Sequence, residues 1–228
     1  ALDITDEEAE KLKELDIIES VEPNYEVSLL LGGSTSIVRA DIARSLDKNA
    51  NDCISSGTEC LTGKGVTIAI IDSGIDYTLD SLGGCFGPEC KVIGGYDFGM
   101  MDEDPMDDAI LHKKHGTNVA LLAAGNGDYN GDGIISDAEG INGIAPDAKI
   151  VIYKISNEDS EISQSSAVFD SLEHIVEHDD EYGVDIISMS IGSVAGAHYK
   201  TITNNMVNQG YVIVASAGNS GPGGDTSC

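Results

Sequence analysis

Four near-continuous apolar runs constrain this chain more than any other feature: VTIAII at 66–71, AKIVIYKI at 148–155, VDIISMS at 184–190 and YVIVASAG at 211–218. They are rich in β-branched residues and lack the polar alternation of a strand with one wet face. Such runs are buried on both sides, which requires helices above and below a mostly parallel sheet. KVIGGYDF at 91–98 reads as a further strand. Helical spacing is expected at 37–46, after His115, over 163–181 and over 197–209. In the third of these, Val168, Leu172, Ile175 and Val176 mark one face. The expected class is α/β. Functional groups in such sheets gather beyond the carboxyl ends of the strands, and Asp72, Ser190 and Asn219 occupy such ends.

The N-terminal segment stands apart. Thr5 and Glu8 form a T-x-x-E capping box, and Ala9, Leu12 and Leu15 follow at helical spacing. Ile17 to Val21 reads as a short strand ended by Pro23, and 28–36 (SLLLGGSTS) as a linker. A helix and a strand this short make no core of their own, so they must pack on the remainder. Ala1 in place of an initiator Met reads as an interior start.

Forty acidic against twelve basic residues give a net charge of -28. That surface repels nucleic acid and anionic membranes, and no apolar run approaches the ~18–20 residues that span a bilayer. It suits a soluble protein that binds metal, is exported or is adapted to salt; solubility alone would also account for it. Five cysteines lie at 53, 60, 85, 90 and 228, and none of the spacings is a C-x-x-C metal knuckle. Cys53 with Cys60, and Cys85 with Cys90, can close Gly-containing loops as disulfides, which implies an oxidising compartment. Free thiols are the alternative, and Cys228 is left over.

Asp72, at the mouth of a buried strand, can fix an imidazole. The best partner is His115 in HKKHGTNVALLAAG, at the start of a helix of small residues. A carboxylate and a His are two parts of a nucleophilic triad, in which the acid sets the tautomer and stabilises the imidazolium. Asn219, in ASAGNSGPGG, could donate to a developing oxyanion. Singly, an Asp at a strand end is more often a cap or turn residue, a lone His more often structural, and an Asn before Gly-Pro more often a turn residue.

Together the segments resemble the subtilisin-like serine proteases, the subtilases, over most of 66–224. IAIIDSGID is similar to the family's catalytic Asp motif, HGTNVA to its His motif, ISMSIG to its substrate-binding strand and ASAGNSG to its oxyanion Asn motif. The resemblance implies a three-layer subtilisin-like fold, with Asp72, His115 and Asn219 as catalytic residues. Ser190, Ile191 and Gly192 would line the cleft against an extended peptide, with Ala217 and Gly218 facing them. It also implies that 1–30 is the end of an inhibitory propeptide whose tail lies in the cleft, and that 31–228 is the first part of a catalytic domain. Asn118 stands where the motif has a second His. Lys113 and Lys114 precede His115, where nearby cations would disfavour imidazolium. The family's G-T-S-M-A nucleophile motif is not in the 228 residues, and Ser227 beside Cys228 is not assigned that role. The chain therefore reads as part of an exported serine endopeptidase precursor, incomplete at its C-terminal end. The rivals are an inactive, Ca²⁺-binding homologue that binds peptides or proteins, and a non-catalytic chain that pairs with another supplying the serine.

A separate motif, DYNGDGIISDAE at 128–139, fits D-x-[DN]-x-[DN]-G-x5-E. Asp128, Asn130, Asp132, the Ile134 carbonyl and bidentate Glu139 would hold Ca²⁺ as a structural ion, and Gly133 would permit the turn. An acidic turn is the simpler alternative. If the site binds, Ca²⁺ at a hundredfold excess over Kd stabilises the fold by about 2.7 kcal/mol. Thermal midpoints at matched ionic strength should then be higher in Ca²⁺ than in chelator, and Glu139→Ala should erase the difference. Equal midpoints in the wild-type chain would contradict the site.

Overall fold

The computed structural model describes residues 5, 11–12, 26–29, 39–108, 114–127, 143–157, 162–193 and 196–218. The strands are β1 (Glu26–Leu29), β2 (Thr67–Asp72), β3 (Val92–Asp97), β4 (Lys149–Lys154), β5 (Ile162–Gln164), β6 (Ile186–Met189), β7 (Ile191–Ser193) and β8 (Val212–Ala215). The helices are α1 (Ala40–Arg44), α2 (Cys53–Ser56), α3 (His115–Ala124), α4 (Ser165–Glu177), α5 (Asp179–Tyr182) and α6 (Gly196–Gln209). Five strands form one parallel sheet in the order β3-β4-β2-β6-β8. The other three form a small antiparallel sheet in the order β5-β1-β7.

The apolar runs behave as their composition demands. Every side chain of β2 is buried, and alternate residues serve opposite layers. Ile68 and Ile70 pack with Ile150, Ile152, Leu82 and, from α3, Ala120 and Ala124. Ala69 and Ile71 pack with Val151 and Tyr153, with Val168, Leu172 and Ile175 of α4, and with Met206 of α6. The result is a three-layer α/β fold in which β2 is central. Each buried aliphatic side chain contributes roughly 1.5–3 kcal/mol.

Differences from the sequence reading are local. The helix expected at 37–46 is only α1, because Leu46 turns out to bridge with Asp52. Ser28 and Leu29, assigned to a linker, belong to β1, because β7 pairs with both and β5 with Ser28. The helix expected from 163 begins at Ser165, since Ile162–Gln164 pair with β1, and it breaks at His178 before α5. Val176 is 41 % exposed, at the edge of the buried stripe. Only 212–215 of the last run is strand. Of the N-terminal helix only Lys11 and Leu12 are described, and both are helical. The strand expected at 17–21, the motif at 128–139, Asn219, Ser227 and Cys228 lie outside the described residues.

Both expected disulfides are formed, Cys53–Cys60 and Cys85–Cys90, with Cα separations of 5.2 and 5.7 Å. No helix among the described residues is long and apolar enough to cross a membrane.

One edge of the α4 layer is an aromatic cluster. The ring of His174 stacks on His178 at 3.8 Å and meets the edge of Tyr153, whose hydroxyl lies 3.2 Å from His174 Nδ1. Burial, then the neighbouring His178, holds the His174 imidazole below its ordinary value of 6.5. A base with a lowered folded value favours the neutral ring in the folded state. Its stabilising contribution is complete above the unfolded value of 6.5 and is lost as pH falls through the folded value. Wild-type Tm should therefore drop more steeply between about pH 7 and pH 5 than that of His174→Phe. Parallel Tm–pH curves would contradict this.

Candidate active site

β2 ends at Asp72, and the sheet determines what surrounds it. The preceding pair across β2 and β6 is Ile71 with Met189, so the next residues along these strands are Asp72 and Ser190. On the other side Asp72 pairs with Lys154 of β4. Asp72 is completely buried, and a buried carboxylate must find donors. Its Oδ1 accepts from Ser73 N at 2.7 Å and meets His115 Nδ1 at 2.7 Å. Its Oδ2 is buried and has no hydrogen-bond partner among the described residues. An ionised carboxylate only accepts, so Nδ1 of His115 carries the hydrogen and donates. Nε2 is then the ring nitrogen with the lone pair. A carboxylate on Nδ1 is placed to hold the ring in this tautomer.

His115 is 7 % exposed and opens α3. The close approach of α3 to β2 depends on Gly116. A Cβ there would lie 2.2 Å from Gly74 O and 3.1 Å from Asp72 Oδ1. Lys114, expected to oppose a charged imidazole, is occupied: its Nζ donates to Asp76 Oδ2 at 2.6 Å. Burial tends to raise the Asp76 carboxyl, but the hydrogen bonds from Lys114 and Thr78 outweigh it and hold Asp76 below its usual range.

The residues expected to line a cleft fall on β7, at its start and after β8. Ser190 links β6 to β7, and Ile191 and Gly192 lie on β7. Across from β7 runs β1, with Leu29 opposite Ile191 and Ser28 opposite Gly192. β5 holds the other edge of β1, with Val27 opposite Ser163. Ala217 and Gly218 follow β8 and are exposed. Ser216, just before them, ties this segment to β7 through Ser216 Oγ donating to Ile191 O at 2.8 Å. The groups brought together are thus Asp72 with His115, and Ile191 of β7 with Ser216. Among the described residues no group of three or more His, Cys, Asp or Glu side chains could hold a metal ion.

Sequence reasoning missed two contributors. β5 was hidden in a helical pattern that continues it without a break. Asp107 is fully buried, and accepts from Thr117 N at 3.1 Å, Thr117 Oγ1 at 2.7 Å and Ser73 Oγ at 3.3 Å. Burial pushes its carboxyl up; the Thr117 hydrogen bonds restrain the rise, and the Asp72 charge adds to it. The only signal was its place in PMDD, upstream of His115.

Gly116→Ala tests the packing. The new methyl must displace Gly74 or Asp72, so the variant should lose roughly 1–3 kcal/mol of stability and lengthen the Asp72–His115 contact. Denaturant unfolding and a crystal structure of the variant would measure both. An unaltered midpoint with the contact intact would contradict the assigned role of Gly116.

The sequence profile of the Subtilase family matches residues 63–227. The chain is 36 % identical over 160 residues to the thermophilic serine proteinase of Bacillus sp. (strain AK1), covering 69 % of this chain and 34 % of that protein. It is 33 % identical to the major intracellular serine protease of Bacillus subtilis (strain 168), covering 71 % of this chain and 45 % of that one. The chain thus spans between a third and a half of these two relatives. The CspB protease of Clostridium perfringens shares its fold, with a TM-score of 0.59 at 23 % identity over 83 % of this chain and 41 % of that one. With a family match over well more than half its length, and with a mostly parallel sheet layered by helices as in that protease, the chain belongs to the subtilase family.

Proposed function

We propose that this chain supplies the acid and the base of a serine endopeptidase acting on polypeptides, the nucleophilic serine lying outside these 228 residues. The observation that carries this reading is the buried 2.7 Å contact between Asp72 Oδ1 and His115 Nδ1 beside a strand-lined cleft. In the proposed reaction Nε2 of His115 takes the proton of the attacking serine hydroxyl and later passes it to the leaving amine. Asp72 holds the ring in the required tautomer and stabilises the imidazolium. Asn219 would donate to the oxyanion, an effect worth a few kcal/mol in such enzymes. Ser190, Ile191 and Gly192 would bind the substrate main chain, with Ala217 and Gly218 on the facing wall.

Residues 1–30 fit the end of an inhibitory propeptide. The support is β1, which fills the place between β5 and β7 that an extended substrate would take. A Ca²⁺ ion held by Asp128, Asn130, Asp132, Ile134 and Glu139 fits as a brace. The chain leaves α3 at Gly125 and returns at Gly143, where Gly143 N donates to Gly125 O at 2.8 Å. Ligation between those points would tie down the far end of the helix that carries His115. The two disulfides fit an exported protein.

A fluorophosphonate serine probe tests the reading. The 228-residue chain should remain unlabelled. A polypeptide from the same gene that extends through a G-T-S-M-A segment should label and hydrolyse peptides. His115→Ala in that polypeptide should lower kcat by roughly 10⁴-fold or more. Labelling of a serine in the 228-residue chain, or full hydrolysis without His115, would overturn it.

A further inference from the structure

The helix that carries His115 begins without a cap of its own. Lys114 precedes it in a left-handed conformation, φ 57°, and its side chain, turned to Asp76, makes no capping hydrogen bond to the helix. Yet His115, Gly116 and Thr117 are all buried, so their N–H groups cannot rely on water. The missing acceptors come from elsewhere in the chain. Gly116 N donates to Ser73 Oγ at 2.8 Å, and Thr117 N and Oγ1 both donate to Asp107 Oδ2, at 3.1 and 2.7 Å. Ser73 Oγ in turn donates to Asp107 Oδ1 at 3.3 Å, which joins the two acceptors into one unit.

That unit is anchored on the strand end that carries Asp72. Asp107 N donates to Ile75 O at 3.2 Å, and Ile75 N donates to Pro105 O at 3.0 Å. Ile75 is fully buried. Ser73 is bonded through its N–H to Asp72 itself. The first turn of α3 is therefore held at two points, Gly116 and Thr117, against the backbone that presents Asp72. A carboxylate suits this place because it accepts several hydrogen bonds at once and opposes the positive end of the helix dipole.

We infer that Asp107 is a positioning residue for the Asp72–His115 pair: as an anionic cap supplied from the loop before α3, it sets the height and rotation of the first turn so that His115 Nδ1 meets Asp72 Oδ1. The catalytic side of this inference rests on the reading of Asp72 and His115 as acid and base. The hydrogen bonds of Asp107 run to Thr117, Ser73 and Ile75. Its effect is carried by Thr117 and by Ser73.

The test is proton NMR of the 228-residue chain carrying ¹⁵N-labelled histidine. In the wild type, His115 Nδ1–H should give a strongly downfield resonance that disappears in His115→Gln. Asp107→Ala should broaden it beyond detection or speed its exchange with water on the order of tenfold, with core methyl signals unchanged. Asp107→Asn, which keeps an acceptor oxygen, should fall between the two. If Asp107→Ala does not fold, Ser73→Ala decides the matter, since it removes the acceptor for Gly116 N and a donor to Asp107; the same faster exchange is expected. An unchanged resonance and exchange rate in a folded Asp107→Ala, or failing that in Ser73→Ala, would overturn the inference and leave the acid–base reading intact. Absence of the resonance from the wild type would sink the acid–base reading, and the inference with it.

Discussion

A carboxylate buried at the end of the central strand is the constraint on which the rest depends. Asp72 has no exposure, so the fold must bring donors to it or forgo its charge. One donor is local, the N–H of Ser73. The other is His115, forty-three residues away in sequence. Bringing that ring to Asp72 requires α3 to begin against the strand end, which in turn requires Gly116 at the contact and Ala120 and Ala124 beneath the helix. Burial then strengthens the pairing, because a hydrogen bond to a charged group gains in a low-dielectric setting.

The second layer of the argument concerns strands rather than side chains. β7 continues from β6 through Ser190, so the sheet that presents Asp72 also sets the position of β7. β1 enters between β7 and β5 by main-chain hydrogen bonds, a mode of recognition that constrains direction and register before any side chain is read. A protease that acts on extended chains needs that kind of site, and a covalently joined segment lying in it would keep other chains out. The Asp72–His115 contact and the β5-β1-β7 sheet are both contained in a chain spanning between a third and a half of two of its relatives.

Much of this was legible before any coordinates. Strands such as 66–71 and 148–155 announce themselves because burial on both faces leaves no polar alternation. Asp72 stands out because it interrupts such a run. The disulfide loops were legible because short separations leave few alternative partners. Pairings between distant segments were not. β1, EVSL, is too short to show a period of its own, and its strand character comes from pairing with β5 and β7. Ile162–Gln164 merge into a helical pattern for the same reason. Asp107 was one acid among forty, and only its burial and its bonds to Thr117 and Ser73 distinguish it.

The most direct measurement of the central claim is the tautomer of His115, read from the ¹⁵N shifts of its two ring nitrogens near pH 8. With Asp72 ionised and accepting at 2.7 Å, the hydrogen must reside on Nδ1 and the lone pair on Nε2. The account predicts that tautomer, with Nδ1–H retained through the hydrogen bond to Asp72. A neutral ring carrying its hydrogen on Nε2 would place two acceptors face to face in the buried site. It would contradict both the hydrogen bond and the assignment of His115 as the base.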